Sequence, residues 1–243
     1  MDNNQLELKT ELEKFFVYSY LNVGMVSDMV EGHANNLLLM AINKAYGDAT
    51  QQNAFNGLFK KNIINIGKLK ESSETNKVTS SEYLYDKISK YGKSINFATW
   101  HKEVCERLVN DYNKIHDENN KNFFTYGNAQ KWLNMTLKYL WLLNRLPNDM
   151  DEKALHAPID SYILQKLKKL EIEGVTGSGE TFYYKKKCWS NIDKYNEYME
   201  LQEKIRKFAK ADGKSVIEWE NEAWIEMSVA RKTPNIKSKR SNV

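Results

Sequence analysis

Apolar and polar positions alternate at helical spacing along most of this chain. Leu6, Leu8, Leu12, Phe15, Phe16, Tyr18 and Leu21 mark a first amphipathic helix over 4–21. A second follows in "SDMVEGHANNLLLMAINKAYG", with Ser27 or Asp28 as cap and Gly47 as stop. Residues 50–66 also read as helix, and the polar run 67–84 is the clearest loop. Thr79 and Glu82 have the spacing of a capping box for a short helix ending near Gly92. Residues 97–116 form a helix with Trp100, Val104, Leu108 and Ile115 on one face. An almost wholly apolar helix covers about 128–143, and Pro158 opens another in "PIDSYILQKLKKL". Two more helices are expected at about 191–211, ending at Asp212-Gly213, and 215–230, opening with Ser215 and Glu218 as a box.

Only residues 171–188 look β-like, with two short runs flanking Gly177-Ser178-Gly179. The fold class is therefore mainly α: a two-lobed helical domain with one short β-hairpin near 171–188. The expected organisation is an N-terminal helical lobe (1–66), a loop (67–78), a main helical domain (79–230) and a disordered basic tail (231–243).

Composition narrows the class. A hydrophobic content of 41% suffices for a core, and the scarcity of proline favours long helices. No apolar run of membrane length and no signal-peptide pattern is present, so a cytoplasmic protein is expected. Cys105 and Cys188 lie in no metal-binding pattern, and His33, His101, His116 and His156 have no metal-ligand spacing, so neither metal nor cofactor is expected. Lys far outnumbers Arg and Asn is abundant, a habit of AT-rich bacterial or phage genomes. The net charge is +4, but residues 1–57 are acidic while the last thirteen carry five basic groups and no acid. Such a basic C-terminal half could meet phosphate, or could simply solvate a surface.

Chemistry is hinted at in one place. The apolar helix "GNAQKWLNMTLKYLWLL" keeps Lys131, Asn134 and Lys138 at spacings that share one stripe. Lys131 lies in its first turn, where backbone N–H groups and an ammonium would favour an anion. Asp160 follows a loop and stands in "HAPID" at the start of the next helix. A lysine facing an aspartate across a cleft can do amine chemistry. Alternatively, the lysines snorkel to solvent and Asp160 caps its helix or pairs with one of them.

A glycine turn, a helix with an early lysine, a loop and then Pro-Ile-Asp opening a helix resembles the helix-hairpin-helix DNA glycosylases, in particular the 8-oxoguanine type. The resemblance spans about residues 120–165, and "FTYGNAQK" has one glycine where the family hairpin has two. It implies a DNA glycosylase/lyase in which Lys131 is the nucleophile and Asp160 assists base loss. Gly127 and Asn128 would then lie in the phosphate-holding hairpin, with Lys138, Lys185, Lys186 and Lys187 on the DNA backbone. The alternative is a non-catalytic helical binding or regulatory module, from phage defence or a mobile element. It would meet a protein partner through the acidic aromatic helix 215–230, "IEWENEAW" at its centre.

Overall fold

The computed structural model describes residues 34–50, 80–114, 124–172 and 188–232. Seven α-helices account for most of these described residues, and no strand occurs among them: α1 (Ala34–Thr50), α2 (Ser80–Ser89), α3 (Phe97–Lys114), α4 (Tyr126–Leu142), α5 (Ser161–Ile172), α6 (Tyr195–Ala211) and α7 (Val216–Lys232). Short 3₁₀ turns lie at Glu152–Ala154 and Trp189–Asn191.

The apolar helix α4 is the centre of the fold, as an all-round hydrophobic helix must be. Trp132, Leu133 and Ala129 are fully buried. α1 lies along α4 in the largest helix–helix interface. Trp132 Nε1 donates to Ile42 O (2.9 Å), Asn128 Nδ2 donates to Ala49 O (2.9 Å), and Tyr46 meets Trp132 edge-on at 5.0 Å. The described part of the expected N-terminal lobe thus shares one hydrophobic core with α3–α7. α3 packs on a second side of α4, while α7 packs against both α5 and α6.

Several boundaries follow the sequence signals. α6 ends at Asp212, and Gly213 takes φ +68°, a left-handed conformation that glycine adopts without steric cost. Ser215 and Glu218 form the expected capping box, with Ser215 N donating to Glu218 Oε2 at 2.8 Å.

Three expectations need correction. Gly47 does not stop α1, which continues to Thr50. Pro158 does not open α5; the helix starts three residues later, because Asp160 Oδ1 caps it by accepting from Tyr162 N (2.8 Å) and Ile163 N (3.0 Å). The start and end of the 171–188 hairpin are not strand either: Glu171 and Ile172 finish α5 and Cys188 precedes a 3₁₀ turn. The hairpin's remaining residues, the helices at 4–21 and 50–66, Thr79 and the tail beyond Lys232 lie outside the described residues. No helix among the described residues is long and apolar enough to cross a membrane.

Candidate functional site: a lysine–aspartate pocket held by a clamped strap

Asp160 ends an extended strap, His156–Asp160, whose backbone is held by two glutamines. Gln202 serves Ala157, accepting from its N–H (3.0 Å) and donating to its carbonyl (2.7 Å). Gln130 serves Ile159 the same way, at 3.1 Å and 3.0 Å. Pro158 lies between them and has no N–H to satisfy. The alternation of an extended chain sends Ala157 and Ile159 to one side, so the strap is paired as a sheet strand would be, with side chains replacing the neighbour.

A buried polar network anchors the strap's other end. Arg206 can only donate, so His156 Nε2 accepts from it (2.8 Å) and the Nδ1–H faces Tyr198 Oη (2.8 Å). Asn134 Oδ1 accepts from His101 Nε2 (2.8 Å), while its Nδ2 donates to Gln130 Oε1, Ala157 O and Tyr198 Oη. Asn134 therefore leaves the lysine stripe and turns into the core. Cys105 Sγ lies 3.8 Å from His101 Nδ1, and burial raises its pKa, as expected of a packing contact.

Burial pushes His101 down from 6.5 to about 4, and His156 also well below 6.5, with the neighbouring histidine and Arg206 adding to the effect. Both pKa values are depressed on folding. The stability tied to neutral imidazoles is complete above pH 6.5 and is lost as pH falls toward 4, because the unfolded chain takes up the protons first. Unfolding in urea should show a loss of about 2 kcal/mol from His101 between pH 7 and pH 5, with His156 adding to it in the same direction. A His101→Gln, His156→Gln chain should lack that part of the slope.

With the strap fixed, Asp160 meets Lys131. Nζ of Lys131 lies 3.9 Å from Asp160 Oδ2 and 4.3 Å from the centre of the Trp189 ring. Both side chains are nearly covered, at 11% and 12% exposure. Desolvation lowers the Lys131 pKa from 10.5, and the Asp160 charge opposes this. Trp224 Nε1 donates to the same carboxylate oxygen at 3.1 Å.

Lys131 and Asp160 stand in the wall of an open pocket of about 440 Å³. Met135, Lys138 and Leu142 continue the Lys131 face of α4, and Tyr162, Asn221, Trp224 and Ile225 complete the opposite side. Lys138 does not reach solvent. It is 6% exposed and paired at 2.6 Å with Glu220, itself 1% exposed. Burial raises the Glu220 pKa to about 7, with Lys138 pulling the other way. Asp48 accepts from Tyr139 and pairs with Lys44 at 3.0 Å.

The start of α4 is closed. Gly127 N donates to Ile192 O (2.8 Å), Asn128 N donates to Thr125 Oγ1 (3.2 Å), and Thr125 Oγ1 donates to Ser190 O (2.7 Å). A Cβ at Gly127 would lie 2.1 Å from Trp189 O, so glycine serves the packing of α4 on the 3₁₀ turn. The backbone groups expected to hold an anion are thus taken up inside the fold, and Gly127, Asn128 and Lys138 are engaged with the protein itself. Lys185, Lys186 and Lys187 lie outside the described residues.

Helix α7 is not a free acidic face. Trp219 and Glu220 are buried, while Glu226 holds Lys166 (2.5 Å) and Lys169 (3.1 Å) of the basic run in α5. Gln130, Gln202 and Trp189, which no motif singled out, therefore build part of the site, and Glu220 and Trp224 of "IEWENEAW" turn toward it. One signal did point to an acid, since Lys138 on so apolar a helix requires a buried partner. Among the described residues no group of three or more His, Cys, Asp or Glu side chains could hold a metal ion. In comparisons with known proteins, the chain matches no family model, no curated protein and no solved structure.

Proposed function

We propose that this protein is a helical binding module whose α4–α5–α7 pocket takes a small, largely apolar ligand anchored at Lys131. One observation carries the reading: an ammonium lies in the wall of an otherwise mainly apolar and aromatic pocket, and no hydrogen bond within the described residues occupies it. A volume of about 440 Å³ is the size of ordinary small-molecule sites. Leu142, 43% exposed, and Ile225, 49% exposed, give its rim apolar surface that a bound ligand would cover. The hydrogen-bonded strap that positions Asp160 supports a binding role, since a preorganised group loses little entropy on binding.

Trp189 and Trp224 make the pocket its own reporter. Titration with 3-phenylpropanoate should change tryptophan fluorescence saturably, and Met135→Trp, which fills the pocket, should abolish the response without unfolding the chain. A linear, unsaturable response in the parent chain contradicts the reading.

A second reading is favoured by the facing of Lys131 and Asp160 and by the lowered proton affinity of the amine. In it Lys131 attacks a sugar aldehyde of damaged DNA, as the glycosylase resemblance implies, with Asp160 assisting and Lys185–Lys187 on phosphate. Borohydride trapping on a duplex with an abasic site tests it: a covalent band lost in Lys131→Ala supports amine chemistry, and no band in the folded parent removes it.

A further inference from the structure

The hydrogen-bond account of the pocket wall is unbalanced toward donors. Asp160, 3.9 Å away, is beyond hydrogen-bond distance from Lys131 Nζ, so three N–H bonds there have no acceptor among the described residues. The Ser161 hydroxyl and the Asn221 amide, each able to donate as well as accept, also line the pocket. The carboxylates in the wall are already accepting, Asp160 from Tyr162 N, Ile163 N and Trp224 Nε1 and Asp48 from Tyr139 and Lys44, and so is Glu220 beneath it, from Lys138. The ligand atoms that complement this wall are acceptors.

Charge limits how many. Among the described residues, Lys131 and Lys138 of the wall and Lys44 behind it are offset by Asp160, the underlying Glu220 and Asp48, which leaves no surplus for a polyanion. One negative charge is tolerated where it meets Lys131, because the near oxygen of Asp160 is itself satisfied by Trp224 Nε1. Beyond that head the wall offers Met135, Leu142, Trp224 and Ile225.

Resting on the reading of this pocket as a ligand site, we infer that its ligand is an apolar monocarboxylate. The acid head accepts from Lys131, with the Ser161 hydroxyl and the Asn221 amide in the same wall as further donors, and the hydrocarbon or aryl body lies along Met135 and Trp224. A nucleotide or polyphosphate does not fit, since its charge exceeds what the wall can neutralise.

Matched probes test this. The full chain is titrated calorimetrically at pH 7 with 3-phenylpropanoate and 3-phenylpropanol, then with octanoate and octanol. Each acid should bind about tenfold tighter than its alcohol, the size of one charge-assisted hydrogen bond. Lys131→Met should remove the acid's advantage over the alcohol, and Lys131→Arg should keep part of it. Because Lys131→Met takes the cation from beside the nearly covered Asp160, a thermal melt of each variant accompanies the titration, and Lys131→Arg keeps the charge. Alcohols binding as well as acids, or a preference that survives Lys131→Met, would overturn the carboxylate inference while leaving the pocket reading in place. Saturable binding by neither probe overturns both. Inorganic phosphate at millimolar concentration should not displace the acid, and displacement would contradict the single-charge argument.

Discussion

Glu220→Leu is expected to destabilise the protein by about 3–5 kcal/mol, because it strands the Lys138 ammonium in the interior. Lys138 is 6% exposed, and its one hydrogen bond among the described residues, to Glu220 at 2.6 Å, lies under the pocket. The converse change, Lys138→Met, should cost less. Glu220 can neutralise itself by binding a proton, and burial has already raised its pKa to about 7. A carboxyl whose folded pKa lies above its unfolded value loses stability as pH rises. The Lys138→Met penalty should therefore be smaller at pH 6 than at pH 8. The pair combined, Lys138→Met with Glu220→Leu, should return close to parent stability, since an apolar pair of similar volume needs no desolvation. Urea unfolding of the four chains closes the cycle. Additive single losses in the double variant would mean the two charges do not act as a pair.

Gly127→Ala is expected to cost about 3 kcal/mol, at the upper end of what one added methyl does in a packed interior. The new Cβ would lie 2.1 Å from the Trp189 carbonyl oxygen, which is backbone and cannot swing aside. The 3₁₀ turn must retreat, which strains Gly127 N–H to Ile192 O and Thr125 Oγ1 to Ser190 O. It also moves Trp189, the surface on which Lys131 rests, so ligand affinity should fall with stability. Gly47→Ala is the control of opposite sign. Gly47 lies inside α1, and a methyl group added there would meet nothing within 4 Å among the described residues. Alanine at that position should gain about 0.5–1 kcal/mol of helix propensity. Thermal melts that rank the two substitutions the other way would contradict this packing.

Local signals announced what local chemistry decides. Asp212-Gly213 and the Ser215–Glu218 box could be read as helix ends because the groups they satisfy lie within a few residues. Thr125 with Asn128 makes a box too, but with an asparagine in place of the usual Glu or Gln it carries no clear sequence mark. The apolar circumference of α4 announced a central helix, while its two lysines left open whether they meet an anion, a carboxylate or solvent. Where those charges go is a tertiary matter. Glu220 lies 82 residues from Lys138, and no spacing rule links them. Pro158 has the mark of a first helical turn, yet two distant glutamines compete successfully for the flanking backbone and hold it extended. Gly127 resembles a phosphate-gripping turn, but the same absence of Cβ serves a close approach of protein backbone. In each case the residue type was informative and the partner was not.

The claim that matters most is that the space between Lys131 and Trp224 is a ligand site. It can be tested by magnetic resonance on a chain labelled at indole nitrogen and methionine methyl groups, titrated with 3-phenylpropanoate. The signals of Trp224 Nε1 and Met135 should shift together and saturate at one common concentration. Trp132, whose Nε1 is bound to Ile42 O away from the pocket, should stay in place. Shifts that bypass Trp224 and Met135, or that rise without saturating, would contradict a ligand site there.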